Sequence, residues 1–252
     1  MKAPLLILIT AAALAQGPIR EEQTITINGT PEVWRLQWKS RPKPVCDARD
    51  ESFYTCPCAG FAFGEAGTLD LVRLRQGREV ERLALTPFFA GNDVSEGLAI
   101  LPRWPQQSED IHNKDSPVFA AKVARRPVVT VMNFGDYDHD GNATEFYLHT
   151  HAGPCIRTAG FIIGVSATNP RLHAFGSAKD PESALNLKKE AWEALLKAHG
   201  AVHVVDWNCG DHGSEQQYEL QLQPTSKGID VMRETYACPR PANARPLKQE
   251  TR

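Results

Sequence analysis

The sequence predicts a mainly β protein of antiparallel sheets, arranged as a sandwich or a partial propeller, with one helix near residues 181–199. Three observations carry this expectation. Short segments alternate apolar and polar residues with period two, as half-buried strands require. Turn residues separate these segments at hairpin spacing. Only one stretch has the periodicity of an amphipathic helix.

At the N-terminus, Lys2 precedes an apolar run from Leu5 to Ala15, and Ala13-Leu14-Ala15 fits a small-residue cleavage site. The run is shorter than the roughly 20 apolar residues that span a bilayer. Residues 1–15 therefore read as a secretory signal, and residues 16–252 as a single β-rich domain, secreted or periplasmic. No stable membrane insertion is expected.

Thr24 to Lys39 predicts a hairpin. Ile25 and Ile27 alternate with polar residues, Asn28-Gly29 supplies the turn, and Trp34, Leu36 and Trp38 share one face. Arg41 to Pro57 reads as a disulfide-held loop. Leu69 to Leu74 and Glu79 to Leu85 flank a second hairpin turn at Gln76-Gly77-Arg78. Pro87 to Pro117 reads as mostly loop, and Pro127 to Met132 as a strong strand. Glu145 to Thr150, Gly160 to Ala167 and Arg171 to Phe175 follow as strands. Asp180 is placed to cap the helix, Pro181 to occupy its first position, and Gly200 to end it. Trp192, Leu195, Leu196 and His199 fall near one stripe. Ala201 to Trp207, Gln217 to Gln223 and Ile229 to Tyr236 close the chain as strands.

The balance of 28 basic and 30 acidic residues, with no basic stripe, argues against a nucleic-acid partner. Cys46, Cys56, Cys58, Cys155, Cys209 and Cys238 make an even count in an exported chain, which points to disulfides. Cys56 and Cys58 are too close to pair comfortably with each other, so they reach different partners, and Cys46 is near enough to be one.

The chemistry is concentrated in Asp136-Tyr137-Asp138-His139-Asp140-Gly141. Ca²⁺ takes six to eight oxygen ligands, and a short loop supplies several if alternate residues turn inward. With Asp136 at position one, Asp138 and Asp140 fall at three and five, and Gly141 at six, where the backbone turns sharply. Asn142 offers its carbonyl at seven, Thr144 its oxygen at nine, and Glu145 closes the set. Clustered carboxylates repel unless a cation offsets them.

These residues resemble the DxDxDG calcium loops of EF-hand, dockerin and FG-GAP/VCBS proteins. The resemblance covers the loop at 136–147 and implies Ca²⁺ as the ligand. Its second half departs from both patterns: Tyr147 stands where an EF-hand has its final glutamate, and Thr144 where an FG-GAP loop has its final acid. The strand-like flanks favour a strand–loop–strand setting, with the ion in a structural role. Val205 to Gly213 is a fainter echo of the motif, with Cys209 in place of a carboxylate.

Two other readings remain open. His149 and His151 could chelate a transition metal from one strand face, with Asp211 and His212 completing a metal-dependent hydrolase. Alternatively, Trp34 and Trp38 could form the contact surface of a carbohydrate- or protein-binding module if exposed. No residue stands out as catalytic. The sequence reads as a secreted calcium-binding protein of undetermined process.

Overall fold

The computed structural model describes residues 17–49, 58, 60–91, 96–153 and 157–252. The expected signal segment, Cys56 and Cys155 lie outside them. The chain is mainly β and forms four antiparallel sheets, with no closure into a propeller among the described residues.

The first half runs through β1 (Ile19–Ile27), β2 (Thr30–Trp38), β3 (Lys43–Val45), β4 (Gly64–Gly67), β5 (Leu69–Arg75), β6 (Arg78–Ala84) and β7 (Ala99–Pro102). Two short helices follow, α1 (Asp110–Asn113) and α2 (Phe119–Val123). Next come β8 (Phe134–Gly135), β9 (Glu145–Gly153), β10 (Arg157–Gly164), β11 (His173–Ala174), β12 (Leu187–Lys188) and α3 (Lys189–Lys197). The chain ends in β13 (Val202–Trp207), β14 (Gln216–Thr225), β15 (Gly228–Ala237) and β16 (Lys248–Thr251).

Both expected hairpins form. β1 pairs with β2 across Asn28-Gly29, and β5 with β6 across Gln76-Gly77. Trp34, Leu36 and Trp38 are essentially inaccessible, so the alternation marks a core face and not a binding surface. Two apolar clusters lie on either side of the β9–β10 layer. Phe146, Leu148, Phe161 and Ile163 join Trp34, Leu36 and Trp38 in the first. Ile162, with Tyr147 against it, joins Trp192, Leu195, Leu220 and Leu222 in the second. Period-two alternation along these strands thus covers both faces of one sheet. Cys46–Cys58 and Cys209–Cys238 are disulfides, the first joining Cys58 to Cys46 as the spacing suggests.

Three expectations need correction. The helix starts at Lys189, not at Asp180. Asp180 sits in a turn in which its N–H bonds Ser177, and Leu185 and Leu187 are buried instead along an extended segment that lets β12 pair with β10. Burial of alternate leucines overrides the capping signal. Leu196 and His199 are exposed, leaving Ala191, Trp192 and Leu195 as the buried stripe.

Pro127 to Met132 is not a ladder strand. Its Val129 N–H donates to the Arg103 carbonyl at 2.8 Å, and the rest of its anchoring comes from side chains of β1. The Glu21 carboxylate accepts the Val131 and Met132 N–H groups at 2.7 and 3.1 Å. Arg20 donates to Val129 O and Gln23 to Met132 O. Side chains thus supply the partners that a neighbouring strand would otherwise provide. Finally, the region read as loop between Pro87 and Pro117 contains strand β7, which pairs with β4.

Candidate metal centre

β8 and β9 pair antiparallel through Phe134↔Phe146 and Gly135↔Glu145, and residues 136–144 form the connection between them. The acidic loop is therefore a strand–loop–strand element. Helix α3 fixes it from outside. Tyr137 packs edge-on against Trp192, with ring centroids 6.5 Å apart, and His139 Nε2 meets the Leu195 carbonyl at 2.9 Å. His139 thus points away from the acidic centre.

Within the loop, backbone N–H groups converge on the carboxylates. Asp136 accepts from Gly141 at 3.0 Å, Asp138 from Asp140 at 3.2 Å, and Glu145 from Tyr137 at 2.8 Å. Gly141 has φ of 92°, the sharp turn expected there. Donor atoms of Asp136, Asp138 and Glu145 lie within 4.8 Å of one another. Asp136 Oδ1 is buried without any hydrogen-bond partner. A buried acceptor left in this state is costly unless something else binds it.

The electrostatics agree. Glu145 is fully buried, with 0 % of its surface exposed. Burial, reinforced by Asp138, pushes its pKa up to about 8. Burial and the neighbouring Asp140 and Asp136 push Asp138 up to about 6. Room for Glu145 comes from Gly164 on β10, where a Cβ would approach Thr144 O to 2.5 Å and Glu145 Cα to 2.8 Å. Thr144 Oγ1 lies 2.6 Å from Glu145 Oε1 and 3.0 Å from Val165 O. A hydroxyl has one proton for these two acceptors. Both contacts are satisfied when Glu145 is protonated and donates to Thr144, which then donates to Val165. The metal-free site thus favours the neutral acid.

The remaining loop residues serve other contacts. Asp140 Oδ1 accepts from the Asn142 backbone and side chain, and its Oδ2 accepts the Ala167 N–H at 2.6 Å. Asp140 thereby ties the loop to the turn after β10. Asn142 is exposed, and Thr144 is buried against Glu145.

His149 and His151 do not assemble a centre with Asp211 and His212. A bulge in the β9–β10 pairing interrupts the alternation at Ala159/Gly160. The His149 ring stacks on Phe61 at 4.3 Å and its Nε2 meets the His151 carbonyl. Burial pushes the His149 pKa down to about 4, and His151 is exposed. Asp211 and His212 lie in a short turn after β13, and no ligand cluster among the described residues joins the four. The echo segment does form a loop between strands, stapled by Cys209–Cys238.

A second cluster escaped sequence reading. His203, Glu219 and Glu234 also place donor atoms within 4.8 Å of one another. They come from β13, β14 and β15, and they meet because Glu219 pairs directly with Glu234 in the ladder. Only the strand register reveals this. The legible signal was the polar phase of Tyr218 to Gln223, which marks a face but not its neighbours.

Comparison with protein-family models, with curated proteins and with solved structures returns no match.

Proposed function

We propose that this is an exported calcium-binding protein in which a structural Ca²⁺ ion fixes the loop joining β8 to β9. The observation that carries the reading is the convergence of Asp136, Asp138 and Glu145, with Asp136 Oδ1 buried and unpartnered. An all-oxygen donor set suits a hard cation. Loop carbonyls and water would supply the remaining ligands, with Asn142 and Thr144 at the positions the DxDxDG pattern assigns. Asp140 would hold the outer wall of the loop. Ca²⁺ would replace the Glu145 proton and offset the repulsion among the three carboxylates. Two disulfides in the described residues fit an oxidising compartment, and the apolar N-terminal run would direct export.

Calorimetric titration of Ca²⁺ into chelator-treated protein tests this reading. One saturable equivalent is expected in the wild type and none in Asp138→Ala. An absence of heat and of any stability change at millimolar Ca²⁺ would overturn it.

A further inference from the structure

The sheet β13–β14–β15–β16 has two unlike faces. Val202, Val204, Leu220, Leu222 and Val231 pack into the second core. On the other face Glu219, Glu234 and Gln249 stand directly opposite one another, and His203, opposite Gln221, is diagonal to Glu219. Glu219 is 1 % exposed and Glu234 4 %. Burying two carboxylates side by side requires compensation, since each loses its hydration.

Part of that compensation is visible. Glu219 Oε1 is held by Gln217 Nε2 at 2.5 Å and contacts the Arg240 guanidinium. Arg240 also lies over the Tyr236 ring. Glu234 Oε1 accepts from Gln249 at 2.7 Å, and its Oε2 from Tyr236 Oη at 2.8 Å. These contacts orient both carboxylates from behind.

The inner oxygen of Glu219 is different. Oε2 is buried and accepts no hydrogen bond. Its close neighbour is His203 Nε2, in an ion-pair contact at 2.8 Å, and Glu234 Oε2 makes a longer one to the same nitrogen at 3.5 Å. Donor atoms around a tetrahedral ion with bonds of about 2.0–2.1 Å sit roughly 3.3 Å apart. The observed separations bracket that value. The His203 side chain is 47 % exposed, which leaves an approach for an ion and a water.

We propose that His203, Glu219 and Glu234 form a second metal site, one that takes a borderline divalent transition ion of the Zn²⁺ type and not Ca²⁺. One imidazole and two carboxylates, the carboxylates each held by an outer partner, supply three ligands and leave a further position open, as a zinc centre requires. Imidazole suits Zn²⁺ and its neighbours in the first transition row, whereas three donors including a nitrogen are a poor cage for Ca²⁺. The site shares no residue with the loop at 136–145, so it stands or falls independently of the calcium reading.

Co²⁺ titration of metal-free full-length protein provides the test, because four- and five-coordinate Co²⁺ has intense visible bands. The wild type should develop such bands with one equivalent, and Zn²⁺ should erase them. His203→Ala, on an exposed side chain, should lose that equivalent, and Asp138→Asn should keep it. Tyr236→Phe should weaken affinity by about 10- to 100-fold, as expected for loss of an outer-shell partner. Saturation without visible bands, bands retained in His203→Ala, or bands lost in Asp138→Asn would each overturn the proposal.

Discussion

The loop cluster and the sheet cluster both bury carboxylates, yet their surroundings act in opposite directions. In the loop, Glu145 and Asp138 face other acids, and burial and repulsion push their pKa values up. In the sheet, burial also works to raise Glu234, but hydrogen bonds from Gln249, Tyr236 and Gln221 outweigh it and hold the group below the ordinary carboxylate range. The loop meets its acids mainly with backbone N–H groups. The sheet meets its acids with long side chains, one of them an arginine. A buried carboxylate is therefore not by itself a sign of an ion. What matters is how much of its charge the protein has already met, and by which donors.

This contrast predicts opposite responses to charge removal. The largest effect should come from Arg240→Ala, which removes the guanidinium from the buried Glu219. A loss of about 3 kcal/mol is expected from urea denaturation, the scale on which buried pairs fail when one partner is removed. A neutral result would mean that the sheet carboxylates are carried by their amide and hydroxyl donors alone.

Next in size is the expected response of the loop to added Ca²⁺. Calcium at about a hundred times its dissociation constant should stabilise the wild type by about 2.7 kcal/mol. In a thermal melt that is roughly 5–10 °C for a chain of this size. The shift should vanish in Asp138→Asn and persist in His203→Ala. Loss of the shift in His203→Ala would couple the two clusters and break the comparison.

In the absence of metal, the same Asp138→Asn substitution should stabilise the protein, by about 1 kcal/mol at pH 8 once solvent screening is allowed for. Chemical denaturation in chelator checks the sign. A destabilised variant would mean that Asp138 is already compensated, as Glu234 is.

The pH dependence is spread over several pH units and is read as a slope. The folded pKa of Glu145, about 8, lies above its ordinary value of 4.5. Its contribution to metal-free stability is thus complete below pH 4.5 and is lost as the pH rises through 8. Denaturation midpoints in chelator should fall across that window, and Glu145→Gln should flatten the slope. Ca²⁺ binding at pH 7 should release close to one proton, measurable as a buffer-dependent heat.

Much of this architecture was legible in the residues. The Trp34–Leu36–Trp38 alternation, the two hairpin turns and the acidic loop between strands all depend on local patterns. The failures were tertiary. Asp180-Pro181 is a sound cap signal locally, but Leu185 and Leu187 gain more by being buried along the extended segment that pairs with β10. Pro127 to Met132 has strand composition, yet its backbone is met by β1 side chains and by the single Arg103 carbonyl just after β7, with no ladder. For the candidate sites, the sequence showed Asp136, Asp138 and Glu145 but not that Asp140 would turn to Ala167. It could not show Glu219 beside Glu234, because fifteen residues and a hairpin register separate them.

The clamp that β1 places on residues 129–132 bears on how the chain assembles. Gln23 reaches a carbonyl 109 residues downstream, and Glu21 reaches amides 110 and 111 residues away. The β1–β2 hairpin is complete once Trp38 has been made, and Gln23 already donates to Glu21 within it, but the Val131 and Met132 amides reach Glu21 only when that segment arrives. On a chain emerging vectorially, the earliest element waits on one from the middle, and closing so long a loop is slow. The N-terminal strand is therefore a latch that shuts late, and protection of the Val131 and Met132 amides should appear among the last events of folding.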